Sequence, residues 1–304
     1  MFRLNHYPAA VTMTSIGNET PSWQYIDPTL CPKLEDPRLQ LHWAVQLCAS
    51  VAAVYAEPHK DDSHRNLGWN TGRGLFISQP MGLEKTFHVA VRPVRFGLLL
   101  LNENEETVTG YSLIGNTFQD ALGWLNSAIA DFLELGTETS LNQPEYDLPS
   151  HPVSQGSVFT AAPAGYAAEI ATAYSNAKLL LEPLSNAYAE ASRLRCWPPH
   201  FDYATLLSFQ DATDTSVKSI GIGFSPGDHH YNEPYWYVTP WPYPDSQDVL
   251  PELDGHGFWH TDNWLGAILP CNTFTPESAA KQELQTRAFL ASAEQGCRII
   301  LGLK

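Results

Sequence analysis

The residues best suited to chemistry lie between Trp197 and Trp264, a stretch that holds five of the eleven histidines. His200 and Asp202 stand two residues apart at the start of a predicted strand, so both side chains are expected on one face of a sheet. A neutral imidazole beside a carboxylate suits either a divalent metal or an oriented general base. Three polar and aromatic phrases make up the stretch: W-P-P-H-F-D (197–202), S-P-G-D-H-H-Y-N-E-P-Y-W-Y (225–237) and H-G-F-W-H (256–260).

The second phrase supplies further candidate ligands. Pro226-Gly227-Asp228 is a turn signal, so a loop between two strands is expected to present His229 and His230. Glu233 follows, where the next strand should begin. Histidines and carboxylates from neighbouring strands and loops form zinc, iron and manganese sites, and two histidines with one carboxylate are the sharpest version. The sequence therefore predicts a divalent-metal site with ligands drawn from His200, Asp202, Glu233, His229 and His260.

A structural interpretation of the same histidines stays open. Single histidines near Trp and Pro commonly pack or cap, and paired histidines in a turn are commonly exposed. His256 and His260 have the i, i+4 spacing of helical metal sites, but Gly255 and Gly257 argue against a helix there. The chain has no H-E-x-x-H, which removes the helical zinc-protease arrangement.

A second candidate is Arg73, which stands between two glycines in W-N-T-G-R-G-L (69–75). Glycine lets the backbone approach a ligand closely, and a guanidinium can bind a carboxylate through two hydrogen bonds. If equivalent strands of the two halves of the chain are adjacent, Arg73 is expected to face Asp202 or Glu233. His200, Asp202, Glu233 and Arg73 are then either the catalytic set of a small-molecule enzyme or a buried ion-pair network.

Aromatic residues are concentrated around the same phrases. The predicted ligand-binding residues are Trp197, Tyr235, Trp236 and Tyr237. Four tryptophans could stack on sugars or apolar rings in a cleft, namely Trp236, Trp241, Trp259 and Trp264. The alternative is an aromatic core packed between sheet and helix, and it stays open at this point.

The elements that must position these residues follow from hydrophobic periodicity. Amphipathic helices are predicted at about 39–55, 118–136 and 166–194 and from Pro276 to Gly296. Strands are predicted at 74–78, 87–91, 98–101, 107–114, 203–209, 219–224, 235–239 and 264–269, with 298–303 as one more.

The order helix, strands, helix occurs twice. It predicts an α+β fold of two similar helix–antiparallel-sheet–helix halves. An N-T-F triplet precedes the late helix of each half, at 116–118 and 272–274, which is consistent with an internal duplication. The predicted organisation is an irregular N-terminal arm (1–38), a first half (39–136), a linker (137–165) and a second half (166–304) that carries the candidate site.

Composition limits the function classes. Of 304 residues, 43% are hydrophobic and 16% charged, which favours a packed core over disorder. The net charge of −16 argues against a nucleic-acid partner, and no apolar run approaches the length of a membrane span. The start of the chain lacks a secretory pattern, and five scattered cysteines without C-x-x-C fit a reducing compartment, so a cytoplasmic location is predicted.

Three motifs occur in the order T-G-R-G-L (71–75), W-P-P-H-F-D (197–202) and E-P-Y-W-Y (233–237). In this respect the chain, over about residues 20–275, resembles a bacterial family of about 300-residue proteins with a domain of unknown function. The resemblance implies that Arg73, His200, Asp202 and Glu233 rank ahead of the other polar residues. It implies no activity, and the His229-His230 and His256/His260 pairs have no counterpart in it.

These observations predict a cytoplasmic α+β protein with a polar pocket in its second half and a small molecule as its partner. The leading hypothesis is a metal-dependent hydrolase or oxygenase that uses zinc, iron or manganese. The alternatives are a non-catalytic protein that binds a carbohydrate or another small molecule in an aromatic cleft, and a purely structural His/Asp/Glu/Arg network.

Overall fold

The computed structural model describes residues 22–136, 139–163, 165–210, 217–244 and 250–303; residues 1–21 of the predicted arm lie outside this part. The described residues form a mixed α+β fold with a large antiparallel sheet. The helices are α1 (Glu35–Tyr55), α2 (Phe118–Leu133), α3 (Tyr166–Ala187) and α4 (Ala279–Leu301). The strands are β1 (Leu67–Asn70), β2 (Leu75–Ser78), β3 (Phe87–Arg92), β4 (Gly97–Asn102), β5 (Thr107–Ser112), β6 (Arg195–Trp197), β7 (Asp202–Gln210), β8 (Val217–Ser225), β9 (Tyr235–Trp241), β10 (Phe258–His260) and β11 (Gly266–Pro270).

All eleven strands belong to one sheet, in the order β10-β11-β9-β8-β7-β6-β1-β2-β3-β4-β5. Every paired neighbour is antiparallel. The strands of the early and late parts of the chain meet where β1 pairs with β6, with Leu67 opposite Cys196. The sheet is therefore continuous across the middle of the sequence.

The helices pack on one face of this sheet and share one core with it. Helix α1 contacts β2 and β3, α2 contacts β4 and β5, α3 contacts β1, β7 and β8, and α4 contacts β8, β9 and β11. Because side chains alternate along a strand, β8 sends large residues into this core and small ones to the opposite face. Ile220, Ile222 and Phe224 belong to the hydrophobic core, and Gly221 and Gly223 alternate with them.

Helix α2 shows how local sequence sets an element. The Thr117 hydroxyl accepts a hydrogen bond from the Asp120 backbone N–H at 3.1 Å, and the Asp120 carboxylate accepts one from the Thr117 backbone N–H at 2.9 Å. This capping box satisfies backbone groups that an exposed helix start leaves unpaired. The helix then buries Ala121, Leu125 and Ile129, as its periodicity predicted.

The segment before α1 is held by two buried amides on the late helices. Asn176 of α3 accepts from the backbone N–H of Gln24 at 2.9 Å and donates to its carbonyl at 2.7 Å. Gln282 of α4 does the same with Ile26, at 2.9 and 2.7 Å. The part of the arm that the structure describes is therefore irregular but fixed, and it bridges α3 and α4.

The predicted linker is packed as well. Phe159 is fully buried, and the Trp43 indole N–H of α1 donates to the Pro149 carbonyl at 3.1 Å. The Thr160 backbone N–H donates to the Gln40 side chain at 2.7 Å. Residues 139–163 therefore lie along α1 as a fixed connection.

Two sequence expectations are wrong near the C-terminal end. The run 298–303 is not a strand, because α4 continues to Leu301 and ends at Gly302 in the left-handed conformation. Gly296 does not stop the helix; a Cβ there would lie 3.1 Å from the Trp259 ring, so this glycine makes room for an indole. Helix α3 ends at Ala187, earlier than the predicted Leu194, and contains Pro183.

No helix in the described part of the chain combines the length and the apolar character needed to cross a membrane.

Candidate functional site

A cavity of about 800 Å³ lies at the edge of the sheet where β7 begins, β8 ends and β9 begins. Its walls come from α1, residues 147–149, the turn before β7, the β8–β9 loop, β9 with Tyr243 beyond it, and the β10–β11 turn. We call this cavity the cleft. Sequence analysis singled out five of its lining residues as candidate site residues, namely His200, Asp202, His229, Tyr235 and Tyr237. The other lining residues used below are Arg38, His42, Gly227, Asp228 and Trp264.

The absence of a side chain at Gly223 positions Tyr237. Gly223 pairs with Tyr237 across β8 and β9, and a Cβ built on Gly223 would lie only 2.5 Å from both Cζ and Oη of Tyr237. The Tyr237 ring therefore crosses over β8, and its hydroxyl donates a hydrogen bond to Oδ2 of Asp202 on β7. Because Gly223 has no Cβ, Tyr237 of β9 can reach Asp202 of β7 across the strand that lies between them.

Asp202 is the most unusual carboxylate of the cleft. Its Oδ1 is buried and has no hydrogen-bond partner among the described residues. Burial raises the pKa of Asp202 above its ordinary value, opposed by the Tyr237 hydrogen bond and by the His200 imidazole. His200 itself is exposed in the turn before β7, so the predicted shared strand face of His200 and Asp202 is wrong although both line the cleft.

Asp228 organises the β8–β9 loop, which lies where the P-G-D signal predicted. One carboxylate oxygen accepts from the backbone N–H groups of His230 and Tyr231 at 2.8 and 3.0 Å. The other accepts from the Tyr235 hydroxyl at 2.6 Å. Burial raises the pKa of Tyr235 well above its ordinary value, and the neighbouring Asp228 charge adds to this, so the phenol remains a neutral donor.

Arg38 brings a positive charge to the cleft from the second turn of α1. The side chain is buried, and Nη1 donates to the Gly227 carbonyl at 2.8 Å. Its Nε is buried without a hydrogen-bond partner, and Arg38 forms no ion pair with any carboxylate that the structure describes. Burial lowers the pKa of Arg38, but an arginine stays charged at neutral pH.

His42 lies one turn along α1 from Arg38. Its ring stacks on Phe201 with centroids 5.4 Å apart, and Nε2 is 2.9 Å from the Pro198 carbonyl. Burial lowers the pKa of His42 to about 4. The imidazole is therefore neutral at pH 7, and Nε2 carries the proton that the Pro198 carbonyl accepts.

Trp264 forms an aromatic wall of the cleft. Its ring lies over Gly266, where a Cβ would be 2.3 Å from Cζ3, and its Nε1 is buried without a partner among the described residues. His260 is centred 4.3 Å from Trp264 and His230 6.0 Å. A planar or apolar part of a ligand would meet this wall.

The remaining predicted metal ligands are separated from the cleft or already engaged. His260 uses both ring nitrogens, with Nδ1 2.9 Å from the Tyr231 hydroxyl and Nε2 2.7 Å from the Asp262 carbonyl. Glu233 does not line the cleft; its Oε1 accepts from the Asn272 side chain, and burial raises its pKa. In the ranges that the structure describes, no three His, Cys, Asp or Glu side chains form a group that could hold a metal ion.

The expectation that Arg73 faces Asp202 or Glu233 is wrong. Arg73 lies in the exposed β1–β2 turn, where its guanidinium donates to the Glu105 carbonyl and to the Thr107 hydroxyl, the latter at 3.1 Å. The sheet joins its halves through β1 and β6, so the turn of the first half meets its own β4–β5 hairpin instead of the cleft. Arg73 is therefore separate from the other predicted catalytic residues.

Two of the four predicted aromatic ligands also lie elsewhere. Trp236 alternates with Tyr235 and Tyr237, so it points into the core, where it is 1% exposed and stacks on Trp23. Trp197 lines a different cavity, of about 460 Å³, with His59 and Arg193. Only Tyr235 and Tyr237 of the four line the cleft.

Arg38 and His42 were not predicted as site residues, whereas Trp264 was among the tryptophans predicted to stack on a ligand. Arg38 and His42 are i, i+4 neighbours, a polar pair within a helix rich in apolar residues, and this pairing was the available signal. Gly221 and Gly223, alternating with buried residues on β8, were a second signal that one face of the strand must stay open for a neighbour.

No protein-family model, curated protein or solved structure matches this chain. The resemblance to a bacterial family therefore stays a prediction, and the function is argued from the geometry of the cleft.

Proposed function

We propose that this protein binds a polar small molecule in the cleft. The observation that carries the proposal is Oδ1 of Asp202, a buried carboxylate oxygen that pairs with none of the described residues, on a side chain that lines a cavity of about 800 Å³. Buried polar atoms are nearly always hydrogen-bonded, because leaving one unpaired costs about 1–3 kcal/mol. A ligand hydroxyl or amino group would supply the missing donor.

The rest of the cleft fits the same proposal. Several of its polar side chains are held in place by other groups of the protein. Tyr237 fixes Asp202, and Asp228 fixes both its own loop and Tyr235. Trp264 adds an aromatic surface. The binding site is thus preorganised, and this reduces the ordering that a ligand must impose.

Metal-dependent chemistry has less support than binding. The proposed ligands His200, Asp202 and Glu233 do not form a donor group, since Glu233 is engaged by Asn272 outside the cleft. A second candidate function is acid–base catalysis by Asp202 on the bound molecule. The raised pKa of Asp202 favours it, because burial makes this carboxyl a better proton acceptor than an exposed aspartate, and its side chain lines the cleft.

The proposal is tested by soaking crystals of the protein with a library of polar fragments. We expect bound fragments to concentrate in the cleft and to place a donor on Asp202. Two other cavities serve as internal comparisons, one of about 590 Å³ lined by His88 and Lys178, and the 460 Å³ cavity beside Trp197. Fragments that concentrate in those cavities and leave the cleft empty would contradict the proposal.

Asp202→Asn provides the matched variant in solution. It keeps the shape of the side chain but replaces an acceptor by a donor, so fragments that donate to Asp202 should bind at least about tenfold more weakly. Asp131→Asn, at an exposed site on α2, removes the same charge and should leave affinity unchanged. Equal affinities for all three proteins would place the binding outside the cleft.

We further propose that the two halves of the chain arose by duplication and that the protein works in a reducing compartment. Each half runs helix, strands, helix, and in both halves the first four strands proceed outward from the central β1–β6 pair, whereas β10 and β11 are exchanged at the outer edge of the second half. The N-T-F triplets both end in a buried phenylalanine, Phe118 and Phe274, although only the first triplet caps its helix directly. All five cysteines are buried and free, which suits a reducing environment.

A further inference from the structure

We infer that the molecule bound in the cleft carries two groups. One is an oxyanion, either a carboxylate or a phosphate, which binds Arg38, and the other is a hydroxyl or amino group that donates a hydrogen bond to Asp202. The inference rests on the proposed function and specifies the chemistry of its ligand. It starts from the juxtaposition of a buried cation and a buried acceptor that line one cavity and each leave a polar atom unpaired.

None of the described residues forms an ion pair with Arg38 on the cationic side of the cleft. Arg38 is 3% exposed, and its described hydrogen bond goes to a neutral carbonyl, that of Gly227. Burying a charge is costly unless an opposite charge and hydrogen bonds compensate it. A chain with 33 acidic and 17 basic residues has acids to spare, so an unpaired buried arginine that lines a cavity indicates that the counter-ion comes from outside.

The two carboxylates that act on the charge of Arg38 do not meet this need. Asp228 interacts with Arg38 over a distance, but its two oxygens are occupied by the His230 and Tyr231 backbone N–H groups and the Tyr235 hydroxyl. Glu35, also on α1, contributes through space without forming an ion pair with Arg38. These charges favour the protonated guanidinium and leave its hydrogen-bonding capacity available.

The groups beside Arg38 allow an anion to approach. His42 is neutral and lies one helical turn away, so it adds neither a competing cation nor a repelling anion. The guanidinium is anchored through Nη1, which fixes its plane while the remaining N–H groups can bind a second partner. A fixed guanidinium binds an oxyanion through paired, charge-assisted hydrogen bonds.

At Asp202 the ligand must supply a hydrogen-bond donor instead of an anion. Its Oδ2 accepts from Tyr237, and its free Oδ1 can accept but cannot donate while the carboxylate is ionised. An anion at this position would be repelled. The cleft therefore distinguishes the two ends of its ligand by charge, which is how a hydroxy acid, an amino acid or a phosphorylated alcohol would be oriented.

The experiment compares hydroxy acids with their neutral amides, using glycolate and glycolamide, mandelate and mandelamide, and 4-hydroxybenzoate and 4-hydroxybenzamide. Binding is followed by NMR chemical shifts of the full chain, and inorganic phosphate is titrated separately to distinguish a phosphate from a carboxylate. We expect at least one acid to bind the cleft at least about tenfold more tightly than its amide.

Variants of Arg38 separate charge from geometry. Arg38→Gln should abolish the preference for the acid over its amide, and Arg38→Lys, which keeps the charge but loses the planar fork, should retain part of that preference. Arg95→Gln removes an exposed positive charge of the first half and should have no effect. If Arg38→Gln does not fold, Arg38→Lys still tests the preference.

The outcomes distinguish the inference from the proposed function. Acids and amides that bind the cleft equally, or an acid preference that survives in Arg38→Gln, would overturn the inference and leave small-molecule binding in place. The inference is also overturned, and small-molecule binding kept, if soaked fragments occupy the cleft but no acid in the panel binds more tightly than its amide. If neither the panel nor the fragment library enters the cleft, both are overturned.

Discussion

At the scale of single residues, Asp202 and Arg38 are the side chains that indicate the function. Each is a polar side chain with a buried atom that no described residue pairs, Oδ1 in one and Nε in the other. Each is also held in place by one hydrogen bond, from Tyr237 and to Gly227 respectively. Leaving such polar atoms without hydrogen bonds costs stability. Buried polar atoms of this kind are most easily retained where a ligand completes the missing hydrogen bonds.

His42 should impose a pH dependence on stability. Its pKa is lowered to about 4 by burial, whereas an unfolded chain protonates histidine near pH 6.5. The unfolded state therefore binds a proton first as the pH falls, and the free energy of unfolding decreases between about pH 6.5 and pH 4. We expect His42 to account for a loss of about 2 kcal/mol between pH 7 and pH 5.

Urea unfolding of His42→Gln at several pH values measures this contribution, since the variant should lose less stability on acidification than the wild type. His59→Gln, at an exposed histidine, serves as the control. Asp202 contributes with the opposite sign, because its raised pKa makes the folded state bind a proton first as the pH falls. A steeper acid loss in His42→Gln than in the wild type would contradict the prediction.

Sequence proximity decided which site residues could be foreseen. His200, Asp202, His229, Tyr235 and Tyr237 stand in polar and aromatic phrases, so residue type and clustering identified them. Arg38 reaches a carbonyl that is 189 residues away along the chain, and no local pattern encodes such a contact. The prediction that Arg73 faces Asp202 or Glu233 was wrong for the same reason. The partners of Arg73 depend on which strands meet at the centre of the sheet.

At the scale of elements, β8 creates the space that the cleft needs. Its inward residues are large, while Gly221 and Gly223 leave room for Thr239 and Tyr237 of β9. A Cβ at Gly221 would approach the Thr239 hydroxyl to 2.8 Å. Because β8 has two glycines on this face, the side chains of β9 can lie flat across β8.

Gly223→Ala should displace the Tyr237 ring and break its hydrogen bond to Asp202. Overpacking of this kind typically costs about 1–3 kcal/mol, and ligand binding in the cleft should weaken with it. Gly123→Ala, at an exposed helical position with no atom within 4 Å of the added Cβ, is the matched control and should stabilise by up to about 1 kcal/mol.

A double-mutant cycle with Tyr237→Ala completes this test. Because Tyr237→Ala removes the ring that the new methyl group would meet, the two substitutions should be less damaging together than the sum of their separate effects. Denaturation curves of the four proteins measure the coupling free energy. Additive effects would mean that Gly223 and Tyr237 do not interact as the geometry indicates.

The elements themselves were largely predictable where periodicity was strong. Helix α2 has a clear amphipathic pattern, and its start and burial agree with the expectation. Strand alternation would also have assigned Trp236 to the core once Tyr235 and Tyr237 were placed in a cleft. Gly296 could not be assigned from sequence, since its role depends on the Trp259 ring, which reaches it from β10.

At the scale of the whole molecule, one hydrophobic core extends through both halves of the sheet. Tyr174 of α3 contacts Phe76 of β2, with ring centroids 4.6 Å apart, and also Phe224 of β8 at 5.4 Å. The Lys178 ammonium of α3 donates to the Trp69 carbonyl of β1 at 3.1 Å. A helix of the second half therefore covers strands of the first.

We expect the two halves to depend on each other for folding. A fragment of residues 1–165 would expose the face of β1 and β2 that α3 covers, and residues 166–304 would lack the partner for that side of α3. Neither should give a dispersed NMR spectrum alone, whereas the mixture should. A dispersed spectrum from the isolated second fragment would show that the predicted boundary at 165/166 separates independent domains.

The amides of Asn176 and Gln282 that clamp residues 24 and 26 have a consequence for biosynthesis. During translation the segment around Trp23 emerges long before Gln282 exists. Its backbone groups and its indole must therefore stay hydrated or find temporary partners while some 250 residues are added. The first described stretch of the polypeptide to leave the ribosome is thus among the last to reach its native contacts.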